Sequence, residues 1–243
     1  MMTSSGATGR DASTRLTVAM LWLLIGVFVL YPLCRLLAMT FWGENGFTFE
    51  NLKPFVSSWY DQQAAVNSIL LGFSVGLAGT ILGFIFAFAV TRLQMPSWAK
   101  FIISAITILP LISPPFTSSI ALTLLLGPNG MILTLLGIED FNFYGFWGTF
   151  ISETLTFFPV AFMTLSTILS RIDPNLEDAA YSLGASSLTV FRTVTMPLAV
   201  PGIANAFLLV FSCSLADFAT PQVLGGHSFP VLPTQAYLQI TGM

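Results

Sequence analysis

The feature that most constrains this chain is the spacing of its charged residues, which leaves long stretches without any charge. Uncharged stretches of 30, 38 and 24 residues occupy 62–91, 101–138 and 193–216, and one of 19 residues occupies 16–34. Roughly 20 apolar residues in a helix cross the hydrocarbon core of a bilayer. Since lipid offers no partner for an unpaired backbone group, such stretches must be helical. We therefore predict an all-α chain that crosses a membrane several times.

The charge-free stretches predict a polytopic transmembrane helical bundle with about five spans. We expect the spans at about 17–38, 67–90, 101–126, 145–169 and 199–219. The first has a longer apolar core than a signal peptide, so we expect a retained anchor. Residues 1–16 are expected to form a disordered cytoplasmic tail and residues 17–243 a transmembrane domain. The interrupted segment 218–243 is expected to be an outer loop or a re-entrant segment.

Composition excludes several functional classes. The chain is 55% hydrophobic and 8% charged, with a net charge of −3, so it is neither a basic nucleic-acid binder nor a disordered chain. A single histidine and two cysteines cannot supply a cluster of Cys and His metal ligands. We therefore predict no metal site and no cofactor.

The positions of lysine and arginine predict the orientation in the membrane. With the N-terminus in the cytoplasm, the arginines and lysines divide six to two in favour of the cytoplasmic side. We therefore expect a cytoplasmic N-terminus, and we expect the segment between the fourth and fifth spans to lie in the cytoplasm.

That cytoplasmic segment has the pattern of a helical hairpin. Asp173 followed by Pro174 is a typical helix start. Gly184 is a candidate for a left-handed residue at the end of that helix. Ser186 or Ser187 can begin a second short helix, and we expect Pro197 to close it. The first helix carries acidic residues, unlike the basic helices that bind anionic lipid, so we expect it to dock on a protein partner.

The spacing within this hairpin resembles a known motif. Asp178-Ala179-Ala180, Gly184 and Val194-x-Met196-Pro197 are similar to the EAA loop of ABC importer permeases. That loop reads Glu-Ala-Ala, three residues, Gly, nine residues, Ile-x-Leu-Pro. Asp178, Val194 and Met196 are conservative departures from it.

Further motifs resemble a narrower group, the ferric-iron-type permeases, with polyamine and phosphonate permeases as relatives. They are Leu109-Pro110, Pro114-Pro115, the GPNG at 127–130, Ala216-Asp217-Phe218-Ala219-Thr220-Pro221 and Gly225-Gly226. The resemblance covers about 67–243, the expected core of the domain. It is to the first half of a two-half permease, ending before a last span, so the chain is either a fragment or a half-size subunit.

The resemblance implies a permease subunit of an ATP-driven importer in the bacterial inner membrane, with the type I importer fold. The subunit would itself be no enzyme; the sequence agrees, because it contains no phosphate-binding loop of the Walker type. Implied partners are a dimer of ABC ATPase subunits, an external substrate-binding protein and a second permease half or second copy. The residues implied in ATPase coupling are Glu177, Asp178, Ala179, Ala180, Gly184 and Pro197. Ferric iron is the implied cargo, with polyamine, aminoalkylphosphonate or sugar phosphate as alternatives.

Two acids inside or near the spans are candidates for the translocation pathway. Glu153 lies within the fourth predicted span and Asp217 near the outer end of the fifth. Placing a charged side chain in a membrane costs free energy, so each of these acids needs a functional explanation. The hypothesis here is that they attract a cationic cargo. The alternative for Glu153 is pairing with a neighbouring helix.

Two other classes of membrane protein compete with this interpretation. An intramembrane enzyme is disfavoured because the chain has no HExxH motif and no Ser-His pairing in the spans. An ion-coupled secondary transporter would carry midplane acids in several spans and an inverted repeat, and the sequence has neither. A requirement for ATP hydrolysis by a partner separates both classes from an ABC permease.

Overall fold

The protein is built almost entirely of helices, which confirms the predicted all-α class. The structure is a computed structural model that describes residues 5–43, 46–128, 130–138 and 142–242. Its backbone contacts divide the chain into two units, Met1–Trp59 and Tyr60–Met243. Five described segments are long and apolar enough to cross a membrane: Ser13–Phe41, Trp59–Arg92, Phe116–Leu136, Phe146–Arg171 and Ser187–Ala216.

The first unit is one long helical segment followed by a small hairpin. Helix α1 (Ser5–Ile25) continues through a π-helical turn (Gly26–Leu30) into α2 (Tyr31–Phe41). Strands β1 (Trp42–Gly43) and β2 (Gly46–Phe47) then pair antiparallel, and α3 (Lys53–Ser57) follows a short 3₁₀ turn.

The prediction of a disordered tail over 1–16 is wrong where the structure describes it, because α1 already begins at Ser5. A helix nucleated by the apolar span extends toward the N-terminus without a new nucleation cost. Residues 1–4 of the predicted tail lie outside the described residues.

The second unit contains the remaining ten helices of the described residues. These are α4 (Trp59–Arg92, which starts one residue before the unit boundary), α5 (Ser97–Ile112), α6 (Pro115–Leu126), α7 (Met131–Leu136), α8 (Phe146–Arg171), α9 (Pro174–Ser182), α10 (Ser187–Val190), α11 (Met196–Ala216), α12 (Ala219–Leu224) and α13 (Leu232–Thr241). The second and fourth predicted spans, 67–90 and 145–169, correspond to α4 and α8.

The third predicted span, 101–126, is interrupted. Helix α5 ends at Ile112 and α6 begins at Pro115, with Ser113 and Pro114 extended between them. Proline lacks an N–H and pushes the residue before it out of the helical region, so two prolines in succession end the helix. By contrast, Pro110 lies inside α5 without ending it. Asn129 of the GPNG sequence lies outside the described residues.

The core of the second unit is formed by α4, α8 and α11. A cluster of buried apolar residues joins them, including Val75 on α4, Leu165 on α8 and Val210 on α11. Gly83 marks the closest approach, because a Cβ placed there would lie 2.6 Å from Cβ of Ala161 and 2.7 Å from the backbone nitrogen of Phe162. Small residues allow such close packing where lipid supplies no hydrophobic driving force.

The fifth span begins earlier than predicted. The segment 187–216 is one continuous helical path, in which a π-helical turn (Phe191–Thr195) joins α10 to α11. The prediction that Pro197 closes the second hairpin helix is therefore wrong. The N–H of Met196 bonds to the carbonyl of Phe191, and this wider turn carries the helix past the proline.

The segment after α11 packs against the bundle and does not form a further span. The side-chain amide of Asn67 on α4 donates to the carbonyl of Pro230 at 2.9 Å. The backbone N–H of Leu232 donates to the Ser68 hydroxyl at 2.8 Å. Thr220 and Leu224 of α12 are fully buried. These features agree with a re-entrant segment shielded by protein.

Candidate functional site

The helical hairpin between the fourth and fifth spans forms as its sequence predicts. Asp173 caps α9, with Oδ1 accepting hydrogen bonds from the backbone and side-chain nitrogens of Asn175 at 3.0 and 2.9 Å. Pro174 occupies the first helical position. Ser186 caps α10, with Oγ accepting from the backbone N–H of Thr189 at 3.3 Å. We call residues 173–190 the coupling hairpin.

The turn of the coupling hairpin depends on Gly184. Its φ is +83°, in the left-handed region that glycine adopts without a side-chain clash. The N–H of Ala185 bonds to the carbonyl of Ala180 at 3.1 Å, and the N–H of Gly184 bonds to that of Tyr181 at 2.9 Å. These two bonds form a Schellman motif, which satisfies the last carbonyls of α9.

The coupling hairpin has an exposed surface that carries both apolar and acidic side chains. Leu183 is 89% exposed and Leu176 is 50% exposed. Asp178 and Ala179 are exposed and Ala180 is half-buried. Exposed leucines rimmed by polar groups are typical of a surface that docks on another protein.

Glu177, the neighbour of Asp178, contacts its own chain. Its Oε1 lies 3.0 Å from Nε of Arg92, at the end of α4, in an ion pair whose side chains are only 14% (Arg92) and 16% (Glu177) exposed. The Thr195 hydroxyl donates to the same oxygen at 2.8 Å. The resemblance implies both acids of α9 in ATPase coupling, and the structure leaves Asp178 exposed while Glu177 contacts Arg92.

Arg92 and Thr195 are residues that the sequence analysis missed. Arg92 is the one basic residue at the end of the second span, which is a signal that could have drawn attention to it. Thr195 carries no such signal, because threonine is common in spans and its partner lies in another helix. A cleft of ≈ 510 Å³ adjoins this site, lined in part by Arg92, Gln94, Tyr181 and Thr195.

The coupling residue Pro197 lies apart from these contacts, at the start of α11. Pro197 affects the path of the backbone, because it follows the π-helical turn that ends at Thr195. No described contact brings it to the docking surface of the hairpin.

Glu153 and Asp217 lie close enough to interact electrostatically, near the C-terminal end of α11. Glu153 on α8 is fully buried, and its Oε2 accepts a hydrogen bond from the Ser214 hydroxyl on α11. Oδ1 of Asp217 accepts from the backbone N–H of Ala219 at 3.0 Å. Among the described residues, Oε1 of Glu153 and Oδ2 of Asp217 are buried without a hydrogen-bond partner.

A metal centre is not formed by the described residues. No group of three or more His, Cys, Asp or Glu side chains lies close enough to hold an ion within 5–43, 46–128, 130–138 and 142–242. His227, the single histidine, has a side chain outside the described set. The candidate site is made of α9, α10 and the ends of α4 and α11.

Comparisons with known proteins agree with this geometry. The chain is 38% identical over 225 residues to the ferric transport system permease protein FbpB of Actinobacillus pleuropneumoniae. The aligned region covers 90% of this chain and 32% of the relative. It is 27% identical over 193 residues to the spermidine/putrescine transport system permease protein PotC of Haemophilus influenzae, covering 76% of this chain and 70% of the relative. The chain therefore spans about a third of the length of the ferric permeases it matches, 32% and 35%.

The fold is also that of solved transporters. A bacterial alginate ABC transporter in complex with an alginate-bound periplasmic protein matches with a TM-score of 0.79 at 17% identity, over 98% of this chain and 86% of that chain. The predicted permease fold is thereby confirmed. The family model for the binding-protein-dependent transport system inner membrane component matches residues 79–242, from the middle of α4 through the coupling hairpin to the end of α13. The chain belongs to this family of multi-pass inner membrane components.

Proposed function

We propose that this chain is part of the permease of an ATP-driven ABC importer, and that the coupling hairpin is where an ATPase subunit docks. The observation that carries the proposal is the exposed face of α9, where Leu183, Leu176 and Asp178 have no covering segment among the described residues. Ala179 and Ala180 leave room for a partner to approach the backbone closely. Hydrolysis would take place in the separate subunits, because this chain carries no phosphate-binding loop.

The proposed mechanism is alternating access driven by ATPase closure. Closure would displace α9 and, through the continuous path of α10 and α11, tilt the membrane helices as a body. An external binding protein would deliver the cargo, in line with the periplasmic protein in the alginate transporter complex. A second permease half or a second copy would complete the pathway, and the N-terminus would lie in the cytoplasm.

Ferric iron is the proposed cargo. The support is the 38% and 36% identity to ferric transport permeases over most of this chain. Polyamine is the second candidate, supported by the identity to a spermidine/putrescine permease. Uptake of radiolabelled ferric iron, with and without excess spermidine, separates the two. The pathway role of Glu153 and Asp217 remains a prediction.

The docking proposal is tested by purification of the detergent-solubilised chain with its partners. We expect the wild-type chain to recover an ATP-binding subunit, and Asp178→Arg to lose it, because a large cation replaces a small anion on the docking face. Glu50→Arg makes the same change of charge on an exposed acid of the first unit, and it serves as the matched control. Recovery of the ATPase by Asp178→Arg at the wild-type level would contradict the proposed surface.

A further inference from the structure

The contacts of Glu177 join three elements of the second unit at one carboxylate oxygen. Oε1 lies 3.0 Å from Nε of Arg92, the last residue of α4, and 2.8 Å from the hydroxyl of Thr195, which ends the π-helical turn before α11. We call Arg92, Glu177 and Thr195 the Glu177 junction. It is built around α9, the helix proposed to meet the ATPase.

The Glu177 junction is shielded from water, which strengthens it. Its two charged side chains are 14% and 16% exposed and Thr195 is 3% exposed, so salt screens the pair less than it would a surface pair. Among the described residues, Nε and Nη2 of Arg92 are buried without a hydrogen-bond partner, so the contact of Nε with Glu177 is an ion pair and not a hydrogen bond. Removing Glu177 would leave this guanidinium without its counter-charge, which is the costly way to break a buried pair.

Adjacent acids on α9 therefore face different ways. Successive residues on a helix are separated by about 100° around the axis, because a turn takes 3.6 residues. This rotation places Asp178 on the exposed face while Glu177 contacts α4 and α11. One acid is available to a partner and the other ties the helix to the membrane bundle.

The third member of the junction lies at an irregular part of the helical path 187–216. Thr195 ends the π-helical turn, and Pro197 follows two residues later without an N–H to donate. Bends in helices concentrate at such π turns and prolines. A displacement of Thr195 would therefore act at a part of the helix that can bend.

We infer that Glu177 is a positioning residue, which transmits movement of α9 to the cytoplasmic end of α4 and to the hinge of α11. The inference rests on the proposed docking of an ATPase on α9. It assigns Arg92 and Thr195 a role in coupling, although neither is part of the docking face.

The first experiment measures hydrogen exchange of the α9 amides in the purified chain. Glu177→Gln keeps an acceptor for Thr195 but removes the charge, so we expect exchange across α9 to become roughly tenfold faster. Arg92→Gln should have a similar effect, and the double variant should add little, because both changes break the same contact. Arg171→Gln changes an exposed arginine at the end of α8 and serves as control. Unchanged exchange in Glu177→Gln would overturn the inference.

The second experiment measures coupling in the assembled importer, reconstituted with its ATPase and binding protein. We expect Glu177→Gln to retain the ATPase subunit while cargo transported per ATP hydrolysed falls about tenfold. An unchanged ratio would overturn the inference while leaving the docking proposal intact. Binding of an ATPase by the wild-type chain is measured before any variant is compared. Failure of the wild-type chain to bind would contradict the docking proposal instead.

Discussion

Single acidic residues in this chain are distinguished by what surrounds them. Asp178 is exposed, Glu177 is paired with Arg92 at the end of α4, and Glu153 is enclosed between α8 and α11. Because an isolated charge in lipid is costly, an enclosed acid needs a partner or a function. Ser214 donates a hydrogen bond to one oxygen of Glu153, and among the described residues the other oxygen has no partner. A functional role for this carboxyl group can therefore be tested.

A pathway role for Glu153 predicts that its charge matters more than its hydrogen bond. Glu153→Gln retains an acceptor for the Ser214 hydroxyl but removes the negative charge. We therefore expect lower uptake of a cationic cargo, with the amount of protein in the membrane unchanged. Ser214→Ala is the matched variant, since it removes the hydrogen bond and leaves the carboxyl. Wild-type uptake by Glu153→Gln in a tracer assay would rule the pathway role out.

At the scale of elements, one pair of prolines ends a helix and two other prolines each follow a π-helical turn. Pro114 and Pro115 separate α5 from α6. Pro32 and Pro197 each occupy the second position of a helix that follows a π-helical turn, and the helical path continues past them. The wider turn moves the preceding carbonyls away from the ring, which removes the clash that breaks an ordinary helix.

The coupling hairpin depends on the backbone of Gly184, which yields a prediction for the element as a whole. A Cβ added at Gly184 would meet nothing within 4 Å, so any effect comes from φ +83° alone. Gly184→Val should strain the turn by about 1–3 kcal/mol, displace α9 from its docking position and lower transport per ATP hydrolysed. Asparagine tolerates the left-handed region, so Gly184→Asn should retain most of the transport.

Two results of the same reconstituted transport assay would contradict the prediction for Gly184. Normal cargo uptake by Gly184→Val would show that the turn conformation is not required for coupling. Equal losses in Gly184→Val and Gly184→Asn would show that the side chain, rather than the backbone conformation, disturbs the hairpin.

At the scale of the whole molecule, orientation in the membrane is the property to test. The count of lysine and arginine predicts that the N-terminus and the coupling hairpin lie in the cytoplasm. We expect a cysteine at exposed Ser182, in a variant lacking Cys34 and Cys213, to react with an impermeant maleimide only after the cells are permeabilised. A cysteine at Thr48, expected on the outer side, should react in intact cells. Labelling of Ser182→Cys in intact cells would reverse the topology.

Much of the fold could be predicted because it depends on local chemistry. A charge-free stretch identified α4, a stretch with Glu153 as its single charge identified α8, and Asp173 with Pro174 located the start of α9. The interruption at Pro114 and the continuation past Pro197 were harder to predict. Both involve proline, whose effect on a helix depends on the backbone around it.

By itself the sequence determined that the chain is a helical membrane protein with a capped helical hairpin between its fourth and fifth spans, because apolar length, caps and a left-handed glycine act over a few residues. Only the tertiary structure decided which acid of α9 is exposed. Glu177 and Asp178 are neighbours of the same charge, and no local rule separates them. The separation comes from Arg92 and Thr195, which packing of α4 and α11 brings to one side of α9.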